Sequence, residues 1–576
     1  MAFKKIVVGN ISLPLAKKKN LLYVDKTKFI SILEESEILA PVFLRPRRFG
    51  KTLFTKLLDN YYDVNEAGNF ESNFEGTWIY PHKTPEASSY CCLMLDFSLV
   101  NPVFNEISQS MVGVLSKAFA VFSVKYPDLE MPREELDASL YSSPAELLQQ
   151  FLTNFLVKAK KGEKLLVIID EYDQFANEIL AYDKEAFRKI TSTARNNEGI
   201  IKRFYTTLKS YMGAEDAPIA KCFITGVSAV SLDSLTSGFN IATNISSFPE
   251  FAPMAGFTHE ELFEVIDQTV DFSKVTSVRK NDLMDMMETY YDGYVFSPAK
   301  PVKVFNPNMS LGFLLDVIRF GKVPETMPGN TSDDMNRIRG MLELSEDGSK
   351  KRIIDFIFNR QNITSGKPGD LNLNENDFMD YDKTIWMLFY LGYLTFDSSK
   401  NFTSYRCPNE ITYQTFIEAV MKQNFRAPSD DKANTIAGKL ENGDISGLVA
   451  TAEEYIAEIP SNAFSGFNER ALQLVFYFLA KQYSSNVSQA FLEADAGNNG
   501  RADLYLKNKA SGPDVLLEFK YISKTKASDA AVGRELALAV EQVRRYRNGP
   551  RFKGIRSLKS YALVFSGSKA VAVEEV

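Results

Sequence analysis

The sequence predicts a multidomain α/β protein. It begins with a parallel sheet covered by helices on both faces (residues 1–245), continues through a helical, winged-helix-like middle region (246–440) and ends in a second α/β domain (455–576). Three observations carry this. At roughly 100–200 residues per domain, a chain of 576 residues calls for three domains or more. Residues 1–240 alternate short apolar runs with longer amphipathic stretches. A Gly-Lys-Thr triplet at 50–52 stands directly between one such run and the helix that follows it.

The apolar runs Pro41–Leu44, Cys92–Phe97, Leu165–Ile169 and Cys222–Ile224 are short and bounded by polar or glycine residues, as in strands buried on both faces. The stretch Ala145–Lys160 between them is amphipathic, and repeated βα units give a parallel sheet. Farther on, Glu260–Asp267 and Asn281–Tyr290 read as helices. Lys383–Phe396 reads as a helix, a break at Gly392 and a strand; polar Asp397–Asn401 then turns into a second strand ending near Cys407. Helix plus hairpin is the layout of a winged-helix module. Residues 425–450 are polar and turn-rich, which places a domain boundary there, and the stretch from about 455 to 576 reads helix, strand, strand, helix, strand.

The bulk chemistry narrows the function classes. The net charge is −7 and the isoelectric point about 5.4, so the chain is not a basic coat for nucleic acid, although a local basic patch can still bind one. Four cysteines without a C-x-x-C pair, and two histidines, argue against a zinc site and against a disulfide framework. The N-terminus lacks a sustained apolar segment, and no apolar run approaches the ~20 residues that span a bilayer. Leu472–Ala480, among the longest, reads as a buried helix. The expectation is a cytoplasmic protein without a membrane partner.

Val42–Leu58 has the strand–loop–helix order that a phosphate-binding loop requires. Backbone N–H groups around Gly50 and the helix N-terminus would cradle the phosphates of ATP. Lys51 would reach the β- and γ-phosphates, and Thr52 would place its hydroxyl on Mg²⁺. Arg45 occupies the position of the first glycine of G-x-x-x-x-G-K-[ST]. A plain helix cap with a surface lysine is the alternative. The run Leu165–Glu171 weighs against that, because a strand buried on both faces does not end in Asp-Glu without reason. Asp170 would hold Mg²⁺ through water, and Glu171 would orient the attacking water. Arg45, Arg47 and Arg48 are read as facing phosphate, a neighbouring subunit of a homo-oligomer or a carboxylate, with solvated loop charge as the bland alternative. Thr225 stands where a polar sensor of the γ-phosphate is expected.

The motifs Tyr23-Val24-Asp25-Lys26-Thr27, RPRRFGKTL (45–53), IIDEYD (168–173), FITGVS (223–228), YYDGYVF (290–296) and Val304-Phe305-Asn306-Pro307 occur in this order. The series resembles the AAA-ATPase-like family of bacterial proteins, which usually carry a C-terminal PD-(D/E)XK nuclease domain. In that family, too, an arginine replaces the first glycine of the loop. After Ser237-Gly238-Phe239-Asn240 this chain has Ile-Ala-Thr where the family tends to have a second asparagine.

Near the C-terminus, Asp503 and Glu518 lie on apolar runs separated by the turn Lys507–Pro513, and Lys520 shares a strand face with Glu518. Two carboxylates and a lysine on one sheet face can bind Mg²⁺ and activate water. A cross-strand ion pair is the plainer reading. Glu469 opens an amphipathic helix before the first strand, and Gln542 and Tyr546 share one face of the helix after Lys520. This E…D…E-x-K…Q-x-x-x-Y series resembles the PD-(D/E)XK nucleases. The resemblance implies a restriction-endonuclease-like fold, with Glu469, Asp503 and Glu518 at the metal, Lys520 catalytic, and Gln542 and Tyr546 supporting. Arg544, Arg545, Arg547, Arg551, Lys553, Arg556 and Lys559 form a basic patch suited to a phosphate backbone or to solvent. The expected function is ATP hydrolysis joined to Mg²⁺-dependent cleavage of DNA or RNA, gated by ATP. An ATP-driven switch that binds nucleic acid without cutting it is the runner-up, and an interaction protein using the loop as a folding device is the third reading.

Overall fold

The computed structural model describes residues 3–9, 11–103, 106–182, 200–229, 241–276, 278–324, 338–343, 345–349, 352–353, 356, 362–369, 380–397, 402–424, 429–458, 468–483, 487–508 and 512–576. The chain forms two compact units, Met1–Glu346 with Asn362–Tyr413, and Asp347–Gln361 with Gln414–Val576.

The first unit is built on five parallel strands, β1 (Ala40–Leu44), β2 (Cys91–Asp96), β3 (Leu165–Asp170), β4 (Ile219–Gly226) and β5 (Ala242–Asn244), in the order β2-β3-β4-β1-β5. Strands β1 and β3 are buried along their whole length, as the unbroken apolar runs require. Because all five run the same way, their carboxyl ends share one edge: Asp96 pairs in register with Asp170, and Phe43 with Thr225. Helix α1 (Lys51–Tyr62) leaves that edge directly after β1 and packs back on β2, β3 and β4. Helices α2 (Ile107–Lys125) and α3 (Pro144–Lys158) pack on each other through Phe119 and Phe151, stacked with centroids 4.0 Å apart. Helix α2 corrects one expectation: it is long and apolar enough to cross a membrane by length and composition. It packs on β2, and at its C-terminal end Val121 and Val124 are exposed.

The middle region has its own apolar cluster. Helices α4 (His259–Thr269), α5 (Lys280–Tyr291) and α6 (Pro307–Phe320) bury Leu262, Ile266, Leu283, Met287, Phe313 and Leu314 together. The hairpin β6 (Tyr294–Val295) with β7 (Lys303–Val304) follows α5. Gly293 has φ +102°, and a Cβ there would lie 2.2 Å from the Pro408 carbonyl oxygen, so only glycine fits. The region holds helix α7 (Tyr381–Tyr390), Gly392 at φ +85°, and the antiparallel strands β8 (Ile363–Thr364), β9 (Thr395–Phe396) and β10 (Ser404–Arg406) in the order β8-β10-β9; the helix, break and hairpin match the reading, and β8 was not anticipated.

The polar stretch at which a boundary was expected lies inside the second unit, and its described residues are largely helical. Helices α8 (Asp430–Leu440) and α9 (Ser446–Glu458) pack on α10 (Glu469–Tyr483). Charge and turn residues there mark solvated faces of short helices. A sheet follows, β11 (Val487–Asp495), β12 (Arg501–Asn508), β13 (Asp514–Ile522), β14 (Leu558–Ser566) and β15 (Lys569–Glu575), in sequential order. All neighbours are antiparallel except β13 and β14, which run parallel across helix α11 (Asp529–Arg547). Strands β11 and β15 were not anticipated. β15 carries only the short apolar run Ala570–Val573 and is exposed along most of its length at the sheet edge.

Candidate functional site

At the carboxyl edge of the first sheet, Arg48 (φ +68°) and Gly50 (φ +100°) both take left-handed backbone and wrap the loop around the start of α1. Gly50 stands at the helix N-cap without a side chain to cap it, so the first-turn N–H groups face outward from a positive dipole end. Lys51 is 3% exposed; its Nζ donates to the carbonyl oxygens of Arg45 (3.1 Å) and Pro46 (3.4 Å) and pairs with Glu171 Oε1 at 3.2 Å. Asp170 Oδ1 accepts from the Thr225 hydroxyl at 2.5 Å, and the Thr52 hydroxyl also bonds this carboxylate. Burial pushes the Asp170 carboxyl above its usual range; the two hydroxyls pull it back and the Glu171 charge pushes it up again. Glu171 holds φ +52°, a conformation that costs a non-glycine residue of order 1 kcal/mol or more, and its Oε2 is buried with no hydrogen-bond partner among the described residues. The loop thus brings Gly50, Lys51, Thr52, Asp170, Glu171 and Thr225 into one cluster.

The arginines separate. Arg45 is 1% exposed and lies away from the loop opening. Its Nη1 donates to the Leu44 and Ser246 carbonyls (both 2.8 Å) and Nη2 to those of Phe251 (3.2 Å) and Ala252 (3.3 Å). Its plane lies over Phe43 and Phe296, 4.3 and 4.1 Å from the ring centroids. The expectation of a phosphate contact is corrected here: the first-glycine position has become a strut from β1 to the segment after β5. Arg47 bonds Gln174, and Arg48 is exposed at the rim. Two further features of this edge were missed. Asp173, 1% exposed, accepts from Val227 N (2.9 Å), Ser228 N (2.6 Å) and the Ser228 hydroxyl (2.8 Å), latching the turn after β3 to the end of β4. A cavity of about 240 Å³ opens beside Gly50, lined among others by Val8, Tyr23, Leu53, Leu57 and Phe257. Its walls come from distant segments, so no local pattern could reveal it. The Ser237–Asn240 motif lies outside the described residues.

The second cluster sits on β12, β13 and α10. Glu518 is 2% and Asp503 8% exposed, and Glu518 Oε2 accepts from Asp503 N at 3.4 Å. Lys520 Nζ pairs with Glu518 Oε1 (3.3 Å) and Glu469 Oε2 (3.5 Å). Burial raises the Glu518 carboxyl to about 7, against the pull of Lys520. Burial lowers the Lys520 ammonium, but Glu518, Glu469 and Asp503 more than offset it, so it stays charged. Tyr546 on α11 feels both Glu518 and Asp503, though burial is the larger cause of its raised pKa. Gln542 Nε2 donates to Tyr546 Oη at 3.4 Å, and Gln542 Oε1 is buried without a partner among the described residues. Lys520 and the backbone of Asp503 thus tie Glu469, Glu518 and Asp503 together, while Gln542 bonds Tyr546, which feels the two buried carboxylates. Sequence reasoning missed Gln473, one turn after Glu469, whose Nε2 donates to Asp503 Oδ1 at 2.6 Å. The i, i+4 spacing from Glu469 was the available signal.

The donor sets suit a hard divalent cation: Thr52 and Asp170 beside an orphaned Glu171 oxygen, and the two buried carboxylates Asp503 and Glu518 on neighbouring strands. Among the described residues, no three carboxylate, histidine or cysteine groups yet converge as a metal cluster.

Fold and sequence together define a parallel α/β domain of AAA-ATPase-like type joined to a second α/β domain of the nuclease superfamily type. Residues 12–236 match the family described as predicted AAA-ATPase, and residues 467–575 match the PD-(D/E)XK nuclease superfamily. The chain carries an AAA-ATPase-like domain and, after it, a PD-(D/E)XK nuclease-superfamily domain. It is 23% identical over 547 residues, 92% of each chain, to an uncharacterised protein in the vnfD 5′ region of Azotobacter chroococcum mcd 1. A Walker-type ATPase of Pyrococcus abyssi aligns over 68% of this chain and 96% of its own, with 13% identity and a TM-score of 0.36.

Proposed function

We propose that the protein binds and hydrolyses ATP at its N-terminal site and cuts phosphodiester bonds of DNA or RNA at its C-terminal site, with ATP gating cleavage. The observation that carries the reading is the convergence of Lys51, Thr52, Asp170, Glu171 and Thr225 from three strand ends onto one uncapped helix N-terminus. Lys51 and the first-turn N–H groups hold phosphate oxygens, which requires Lys51 to release Glu171. Thr52 and Asp170 hold Mg²⁺, and the freed Glu171 orients the attacking water while Thr225 reads the γ-phosphate. The apolar cavity beside Gly50 takes the base. In the second domain Asp503, Glu518 and Glu469 hold the cation, and Lys520 stabilises the charge that develops on the scissile phosphate. A divalent cation at each site neutralises phosphate charge and lowers the pKa of bound water. We read α2 as a core helix of a cytoplasmic protein.

Lys51→Ala is expected to abolish ATP binding, and Glu171→Gln to keep binding while losing turnover. Equal nucleotide affinity in wild type and Lys51→Ala, measured by calorimetry, sinks the assignment. One observation favours a second reading, a switch that binds nucleic acid without cutting it: Lys520 is already held in ion pairs with Glu518 and Glu469. Incubating the protein with single- and double-stranded DNA and RNA, with and without ATP and Mg²⁺, separates the two.

A further inference from the structure

Gln473 lies on α10 one helical turn after Glu469, so both side chains face the same strands. It is 4% exposed, and both ends of its amide are engaged. Nε2 donates to Asp503 Oδ1 at 2.6 Å, and Oε1 accepts from Arg470 Nη1 at 2.6 Å. A guanidinium only donates, so Arg470 forces the amide oxygen toward itself and turns the NH₂ group onto Asp503. The other carboxylate oxygen, Asp503 Oδ2, accepts from Phe519 N at 2.7 Å. Asp503 is thereby held from the helix on one side and from β13 on the other.

We propose that Gln473 is a positioning residue: it sets the carboxylate plane of Asp503 for a divalent cation, and Arg470 sets the orientation of Gln473. The proposal rests on the metal-site reading of this domain. A residue that only docks α10 on the sheet would make the same bonds, but its loss would lower stability and leave metal affinity alone. Partners of ligating groups typically change metal affinity 10–100-fold when removed.

The test is Mn²⁺ binding to the full-length, EDTA-stripped protein without nucleotide, by calorimetry, with thermal unfolding of the metal-free protein alongside. Asp503→Asn identifies the signal of this site. Gln473→Met removes the hydrogen bond, and Gln473→Asn keeps an amide too short to reach. The expected result is a cooperative metal-free melt in at least one variant, with Mn²⁺ binding at least 10-fold weaker than in wild type. Unchanged affinity in a folded variant overturns the proposal, as does failure of both variants to fold, which would make Gln473 purely structural. If Asp503→Asn itself leaves Mn²⁺ binding unchanged, the metal-site reading fails instead.

Discussion

Replacing Gly226 by alanine tests the geometry of the ATPase edge with a single methyl group. A Cβ at this position would lie 2.4 Å from Tyr172 Cδ1 and 2.5 Å from Asp173 Oδ1. Ordinary carbon contacts begin near ~3.5 Å, so a neighbour must retreat by about 1 Å. Neither is free to do so. Tyr172 is tied at both ends, its N–H to the Thr225 carbonyl (2.9 Å) and its hydroxyl to the Ser228 carbonyl (2.7 Å). Asp173 holds Val227 N and Ser228 N. The overpacking costs about 1–3 kcal/mol, and a lost bond to the Asp173 carboxylate adds about 1.5–3 kcal/mol. For a domain of several hundred residues this lowers Tm by roughly 5–10 °C. Glu171 directly precedes these residues, so the shift displaces the group read as orienting water, and a displacement of that size costs on the order of 100-fold in rate. Differential scanning calorimetry and steady-state ATP turnover read the two effects. Gly312→Ala is the control: it lies in α6 with nothing within 4 Å of the added Cβ and should leave both unchanged or slightly improved. A Gly226→Ala protein that melts and turns over like wild type would refute the reasoning.

Arg45→Met should destabilise the first unit by on the order of 2–4 kcal/mol in denaturant titration, because the carbonyls of Ser246, Phe251 and Ala252 lose donors in a dry site. Arg45→Lys should rescue less than half of this, since an ammonium lacks the planar fork that reaches these carbonyls and stacks on two rings. A fragment of residues 455–576 should melt well below one of 429–576 by circular dichroism. The longer piece keeps Asn508 Nδ2 on the Leu440 carbonyl (3.2 Å), Tyr561 Oη on that of Gly443 (2.8 Å) and the Lys569–Glu453 pair (2.8 Å). Asp503→Ala, Glu518→Ala and Lys520→Ala should each eliminate metal-dependent cleavage of a labelled oligonucleotide while sparing ATP turnover. Cleavage at the wild-type rate in all three would reduce the cluster to an ion-pair group.

The local signals were legible because each rests on short-range physics. A strand buried on both faces must be apolar throughout, so Leu165–Ile169 announced β3 and made the Asp170-Glu171 that follows conspicuous. Glycine at 392 and the apolar helix before it announced the winged-helix-like turn. Two-residue spacing put Glu518 and Lys520 on one strand face. Composition misled where short polar helices resemble a domain boundary, as at Asp430–Leu440, and an exposed edge strand left only a four-residue apolar run, as at Lys569–Glu575. The sequence by itself determined the α/β class, the two chemical constellations and most of the side chains in them. Only the tertiary structure decided where each charge went. It turned Arg45 inward onto carbonyls, paired Lys51 with Glu171, and brought Gln473 from a helix onto Asp503. The physical reason is that a buried polar group must find its partners wherever the packed chain brings them, across more than a hundred residues for Lys51 and thirty for Gln473.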